Sequence, residues 1–337
     1  MLKARTTRFK EWTLTTLAAA LAIPLAATMA DRAAAQDAAA GYPNRAIHMV
    51  VPYAAGGGID ILARLIGQKM SEGLGQPVVV DNKPGASGEL AGAYVKNAAP
   101  DGYTLLTSAS GAMAVSQATK KKPMYSTLSD FAPVGMIASF PLVLVVNNDL
   151  PIHSVKEFVD YAKAHPDKAN YAEPSVAFQL VVEKLKLKTG APLQMIPYKS
   201  STEALTSVMA GTTMAALVDT GPATGLIKAG KVRAIAITAA ARTADFPDVP
   251  TATEAGYPEM SISFWSAMFA PAAVPPAIVN KLGAELQRIV KLPEIQERMK
   301  KLAVIPEGAS GDAARRFIAN EIATYTEVAR AANITRE

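Results

Sequence analysis

Short apolar runs and longer amphipathic stretches take turns along this chain, and their order predicts its architecture. Ile47–Pro52 is a compact apolar run that predicts a strand, and from about Ile59 to Glu72 the apolar positions return at helical spacing. Val78–Asp81 predicts a second strand, Gly88–Asn97 a second helix and Tyr103–Ser108 a third strand. A β-α-β-α-β order calls for a mostly parallel sheet covered on both faces.

A second series follows. Leu142–Asn147, Asn170–Ala172, Gln194–Pro197, Ala215–Asp219 and Ala234–Thr238 predict strands. Between them, Val155–His165, Gln179–Thr189 and Thr202–Ala210 predict helices and Gly221–Ala229 a helical turn. Ser263–Ala270 reads as a strand returning to the first series, and Pro275–Val290, Pro293–Lys301 and Ala313–Ala331 as closing helices. The fold class is therefore α/β with two lobes, residues 42–141 plus 262–337 and residues 142–261, joined by crossings near Pro141 and Ser261. In such sheets ligands sit beyond the carboxyl ends of the strands, so two sets of strand ends face each other across a hinged cleft.

Composition narrows the chemistry. The 337 residues are 50% hydrophobic and 19% charged, the balance of a packed globular protein. Lys3, Arg5, Arg8, Lys10 and Arg32 against Glu11 and Asp31 give the first 35 residues a net +3, leaving +2 of the overall +5 for the rest. That bias is too small, and too free of basic–aromatic interleaving, for a nucleic-acid partner. Lys120–Lys122 reads as a solvated loop. Residues 1–35 read as a signal peptide: a basic start, an apolar stretch from about Trp12 to Ala30, then Ala33–Ala35 as a cleavage site. The expected location is the periplasm. Cysteine is absent, which removes disulfides, thiol catalysis and thiolate metal sites. His48, His153 and His165 lack metal-ligand spacing, so neither a metal nor a cofactor is expected.

The sharpest local feature is the loop from Tyr53 to Asp60 between the first strand and first helix, holding Gly56, Gly57 and Gly58. Glycines let backbone approach a ligand, and the helix start beyond them presents unpaired N–H groups to an anion. Asp60 reads as structural first and as a ligand contact second. A dinucleotide fingerprint fails at Ile61, where a small residue is required.

Val51-Pro52-Tyr53-Ala54-Ala55-Gly56-Gly57-Gly58-Ile59-Asp60 resembles the opening of the Bug-type receptors of tripartite tricarboxylate transporters. So do Val79–Ala86, Ala99–Leu106, Pro197-Tyr198-Lys199, Ile227–Ala234, Pro247–Thr251 and Phe269–Ala272, in the family's order from about Tyr42 onward. The resemblance implies a two-lobe periplasmic-binding-protein (Venus flytrap) fold with two crossings, a small carboxylate ligand, no catalytic residues, a monomer, and delivery to membrane permease subunits. By position it places the ligand at Tyr53, Ala55, Gly56, Gly57, Gly58 and Asp60, at Ser108 and Ser110 after the third strand, and at Tyr198, Lys199 and Asp219 from the second lobe.

One loop departs from the family's glycine-rich pattern, reading Glu173-Pro174-Ser175-Val176-Ala177-Phe178-Gln179. Ser175 and Phe178 are expected at the ligand, with helix core the other reading of Phe178. Glu173 repels a second anion there unless it is protonated, turned outward or paired with Lys199. The lost glycines and Phe178 favour a monocarboxylate or aromatic carboxylate over a citrate-like triacid. Two other classes stand beside this reading. An exported hydrolase lacks a Gly-x-Ser-x-Gly elbow, and a receptor that signals to a sensor kinase has the same sequence features as one that feeds a transporter.

Overall fold

The computed structural model describes residues 40–262 and 264–335. The leader reading of residues 1–35 lies outside the described residues. The strands β1 (Ile47–Val51), β2 (Val78–Asn82) and β3 (Thr104–Ala109) pair in parallel with β1 in the middle. The helix Gly58–Leu74 packs on them because Leu62, Ile66 and Met70, four residues apart, fall on one buried face. It stops at Gly75, which adopts a left-handed φ of 70° and returns its N–H to the Ser71 carbonyl.

Phe131–Phe140 is not legible as a strand from its pattern, yet it forms β4, a ten-residue strand buried along most of its length. Pro133 and Gly135 hide it. Pro133 stands opposite Phe269 at a register shift in the partner strand, where a missing N–H costs no ladder bond. Gly135 lets the helix Pro276–Val290 approach: a Cβ there would stand 3.0 Å from Leu286 Cδ2 and 3.3 Å from the Ala309 carbonyl oxygen. β10 (Phe264–Pro271) pairs antiparallel with both β3 and β4, and the two-residue β11 (Ile305–Pro306) closes the edge. The six-stranded order is β11-β4-β10-β3-β1-β2.

The other sheet has the order β7-β6-β8-β5-β9. β6 (Asn170–Glu173) runs parallel to β7 (Gln194–Pro197) and β8 (Ala215–Asp219), whereas β5 (Leu142–Asn147) is antiparallel to β8 and β9 (Val232–Ile237). The expected helical turn after β8 is a full helix, Thr220–Lys228. Parallel pairing thus holds where helices connect strands within a sheet, and antiparallel pairing enters through the strands that join the sheets.

Those joins are compact. Pro141 alone separates β4 from β5, and the chain returns after β9 through residues 238–262 to Phe264. Phe264 pairs with Phe140, so both crossings leave the same end of one antiparallel pair. The long helix Gly311–Ala331 lies on β4 and also packs against Val176–Thr189 beside the second sheet. Trp265, Phe178 and Tyr325 consequently belong to one continuous core.

Candidate functional site

A cavity of about 520 Å³ lies where strand ends of the two sheets meet. Tyr53 reaches it from the loop after β1, Ile59 from the first turn of the helix Gly58–Leu74, and Gly111 and Lys120 from the segment after β3. Ser175 and Phe178 enter after β6, and Asp219 at the end of β8. Phe140, Phe264 and Trp265, from the crossing strands, complete its wall. A larger cavity of about 930 Å³ is lined by Pro141, Thr238, Phe246, Lys291, Phe317 and Glu321. It shares Trp265 with the first and is lined by none of the expected site residues, several of which line the smaller cavity.

The glycine loop is built around Asp60. Its buried carboxylate accepts from the Gly56 N–H at 2.8 Å, Arg64 Nε at 3.0 Å and Asn82 Nδ2 at 2.9 Å. Asn82 also donates to the Tyr53 carbonyl at 3.0 Å, tying the loop to β2. Burial acts to raise the Asp60 pKa, but Arg64, the Gly56 amide and Asn82 outweigh it and hold the carboxyl below its ordinary value. Asp60 is thus spent on internal partners, as its structural reading expects, and does not line the cavity. Gly57 precedes the helix Gly58–Leu74 without a side-chain cap, which leaves the first-turn N–H groups of a 17-residue helix beside Tyr53 and Ile59. Ala55, Gly56, Gly57 and Gly58 are exposed on that loop, next to the cavity wall rather than in it. Gly56 takes a φ of 81°, a conformation suited to glycine.

After β3 the hydroxyls lie deeper than their positions suggest. Ser108 and Ser110 are fully buried and are not part of the cavity wall. Ser108 sits beside the Tyr53 phenol, whose pKa burial pushes up to about 12 while the serine hydroxyl pulls the other way. Tyr53 is accordingly a neutral hydrogen-bonding group at physiological pH.

From the second sheet, Ser175 opens the helix Val176–Thr189 in extended conformation and caps nothing with its side chain. Phe178 is 7% exposed, lines the cavity and packs edge-on against Phe264 with ring centroids 4.9 Å apart. It is both core and wall. Asp219 accepts from Ser201 Oγ at 2.7 Å, and burial raises its pKa against the opposing pull of Ser201 and its own N–H. Glu173 is not turned outward; it is buried at the end of β6, where its carbonyl accepts from the Tyr198 N–H. Tyr198 and Lys199 stay out of the cavity: the Tyr198 hydroxyl donates to Ser207 Oγ at 2.7 Å, and Lys199 is exposed.

Sequence reasoning missed Lys120, Phe140, Phe264 and Trp265. Lys120 is not a solvated loop lysine: its Nζ donates to Glu89 Oε2 at 2.7 Å, its side chain is 20% exposed, and it lines the cavity. The aromatic trio had a signal in its position directly beside the two crossings.

A model of the tripartite tricarboxylate transporter family receptors matches residues 62–334. Protein BugT of Bordetella pertussis is 36% identical over 300 residues, covering 88% of this chain and 92% of that one. Among solved structures, an R. palustris protein with adipate superposes with a TM-score of 0.72 at 31% identity over 87% of this chain and 99% of its own. MatC from Rhodopseudomonas palustris with bound malate gives 0.68 at 31% identity over 85% and 99%.

Proposed function

Because this chain belongs to the tripartite tricarboxylate transporter family of receptors, in its Bug-type branch, we propose that it is a periplasmic receptor that closes on one small carboxylate and delivers it to permease subunits in the membrane. The observation that carries this reading is the cavity itself. It joins strand ends of both sheets, abuts the uncapped start of the helix Gly58–Leu74, and holds one cation, Lys120, in its wall. Backbone N–H groups at a helix start bind a carboxylate without needing an arginine. Relatives that carry adipate and malate support a carboxylate cargo.

The wall adds a finer expectation. Phe140, Phe178, Phe264 and Trp265 line the cavity and give it an aromatic wall for whatever body the carboxylate carries. Asp219, a lining carboxylate, disfavours a second negative charge nearby unless it is protonated. The ligand is therefore a monocarboxylate with an aryl or alkyl body, ahead of a triacid.

A thermal-shift screen of the exported form against mono-, di-, tri- and aromatic carboxylates tests this directly. The expected result is a selective rise in Tm that grows with ligand concentration, largest for acids with an apolar body. No response to any acid overturns the carboxylate reading, and tight binding of citrate with none of benzoate overturns the finer one.

A further inference from the structure

Two loops far apart in sequence build an ion pair at the wall of the cleft. Glu89 opens the helix Glu89–Lys96, where the positive end of the helix favours its carboxylate. Lys120 follows the short helix Ser116–Thr119 and comes from 31 residues further along. The pair is unequal in its setting: Glu89 is 1% exposed and does not line the cavity, whereas Lys120 does.

That inequality gives the pair a direction. A lysine ammonium has three donors, and Nζ spends one on Glu89; among the described residues it makes no other hydrogen bond. The second Glu89 oxygen is buried and has no hydrogen-bond partner among the described residues, so Lys120 is its charge balance. Nearby Tyr125, raised by burial and by Glu89, stays neutral and offers no competing charge. Glu89 thus holds the ammonium of a residue that lines the cavity, while Glu89 itself stays outside the lining. Since Coulomb attraction falls with distance, a carboxylate in the cavity gains more from the nearer cation than it loses to the carboxylate beyond it. Among the lining residues no other side chain is cationic.

We infer that Lys120, held by Glu89, is the charged specificity determinant of the cleft, the group that distinguishes a carboxylate from an uncharged ligand of the same shape. This rests on the carboxylate-receptor reading above. It predicts that the binding residues include a segment after β3 that glycine-loop recognition alone would not require.

The test is calorimetric titration with benzoate, adipate and malate, each beside its uncharged amide. Lys120→Met alone leaves Glu89 buried without its partner and risks unfolding. The deciding variant is therefore Lys120→Met combined with Glu89→Gln, with Lys120→Arg as the conservative control and circular dichroism to check folding. The expected result is a loss of about tenfold or more in affinity for the acid that wild type binds, with its amide unaffected and Lys120→Arg close to wild type. A folded double variant that binds the acid as wild type does overturns the assignment while leaving the receptor reading intact. An equal loss for acid and amide also overturns it, because it marks Lys120 as structural. Wild type binding none of the three acids overturns both.

Discussion

The two sides of the cleft are made of different materials. The side from the six-stranded sheet offers the neutral phenol of Tyr53 and the side chain of Lys120, with the uncapped start of the helix Gly58–Leu74 touching the wall at Ile59. The side from the five-stranded sheet offers Pro174–Phe178, one carboxyl at Asp219, and no cation among the lining residues. The aromatic wall is shared, with Phe140, Phe264 and Trp265 on the six-stranded side and Phe178 on the other, whereas the cation of the lining stands on the first side and the carboxyl on the second.

The largest effect that tests this contrast comes from the five-stranded side. Phe178→Ala removes a buried ring from the junction with Phe264 and is expected to cost about 3–5 kcal/mol of stability, measured by urea unfolding. Aromatic acids are expected to lose affinity more than small aliphatic ones. Equal losses for both would show that Phe178 is core alone. On the six-stranded side, Gly56→Val places a β-branched residue at positive φ, and about 1–2 kcal/mol is expected to be lost along with the loop geometry. Here every carboxylate should weaken alike, whatever its body, and calorimetry across the panel would show whether it does.

A smaller effect separates the two carboxyls, which have opposite pH signatures. Asp60 is lowered in the folded state, so its stabilisation is present above the unfolded carboxylate value of about 3.9 and is lost as pH falls through its folded value below that. Asp219 is raised, so its burial penalty is present above the folded value and is relieved as pH falls through it toward about 3.9. Asp60→Asn is therefore expected to lower Tm at pH 7. Asp219→Asn keeps an acceptor for Ser201 and is expected to raise Tm slightly at pH 7 and to change little near pH 4. Thermal scans at the two pH values check both, and shifts of the same sign at pH 7 would break the contrast.

The sequence made the sheets legible wherever apolar runs stood between turn signals, as at Leu142–Asn147, where expectation and structure agree to the residue. It hid β4 because Pro133 and Gly135 look like breaks until the register shift and the packed helix beside them are known. The cleft followed the same division. Tyr53 and Asp219, placed by the family's motif order, and Ser175 and Phe178, placed by the loop that departs from it, all line the cavity. Lys120 looked like any lysine in a basic run, since its meaning depends on Glu89, which the chain reaches by a different route. Tyr198 and Lys199 come from the same motif order but lie off the cavity, the tyrosine hydroxyl bonded to Ser207 and the lysine exposed.

The paired exit of both crossings from β4 and β10, with Phe140 opposite Phe264, has a mechanical meaning. Two independent linkers would act as a ball joint, free to swing and twist. A ribbon of two hydrogen-bonded strands flexes across its flat face and resists shearing in its own plane. Phe140 and Phe264 are held side by side in this way, so both crossings start from one pinned point of the fold.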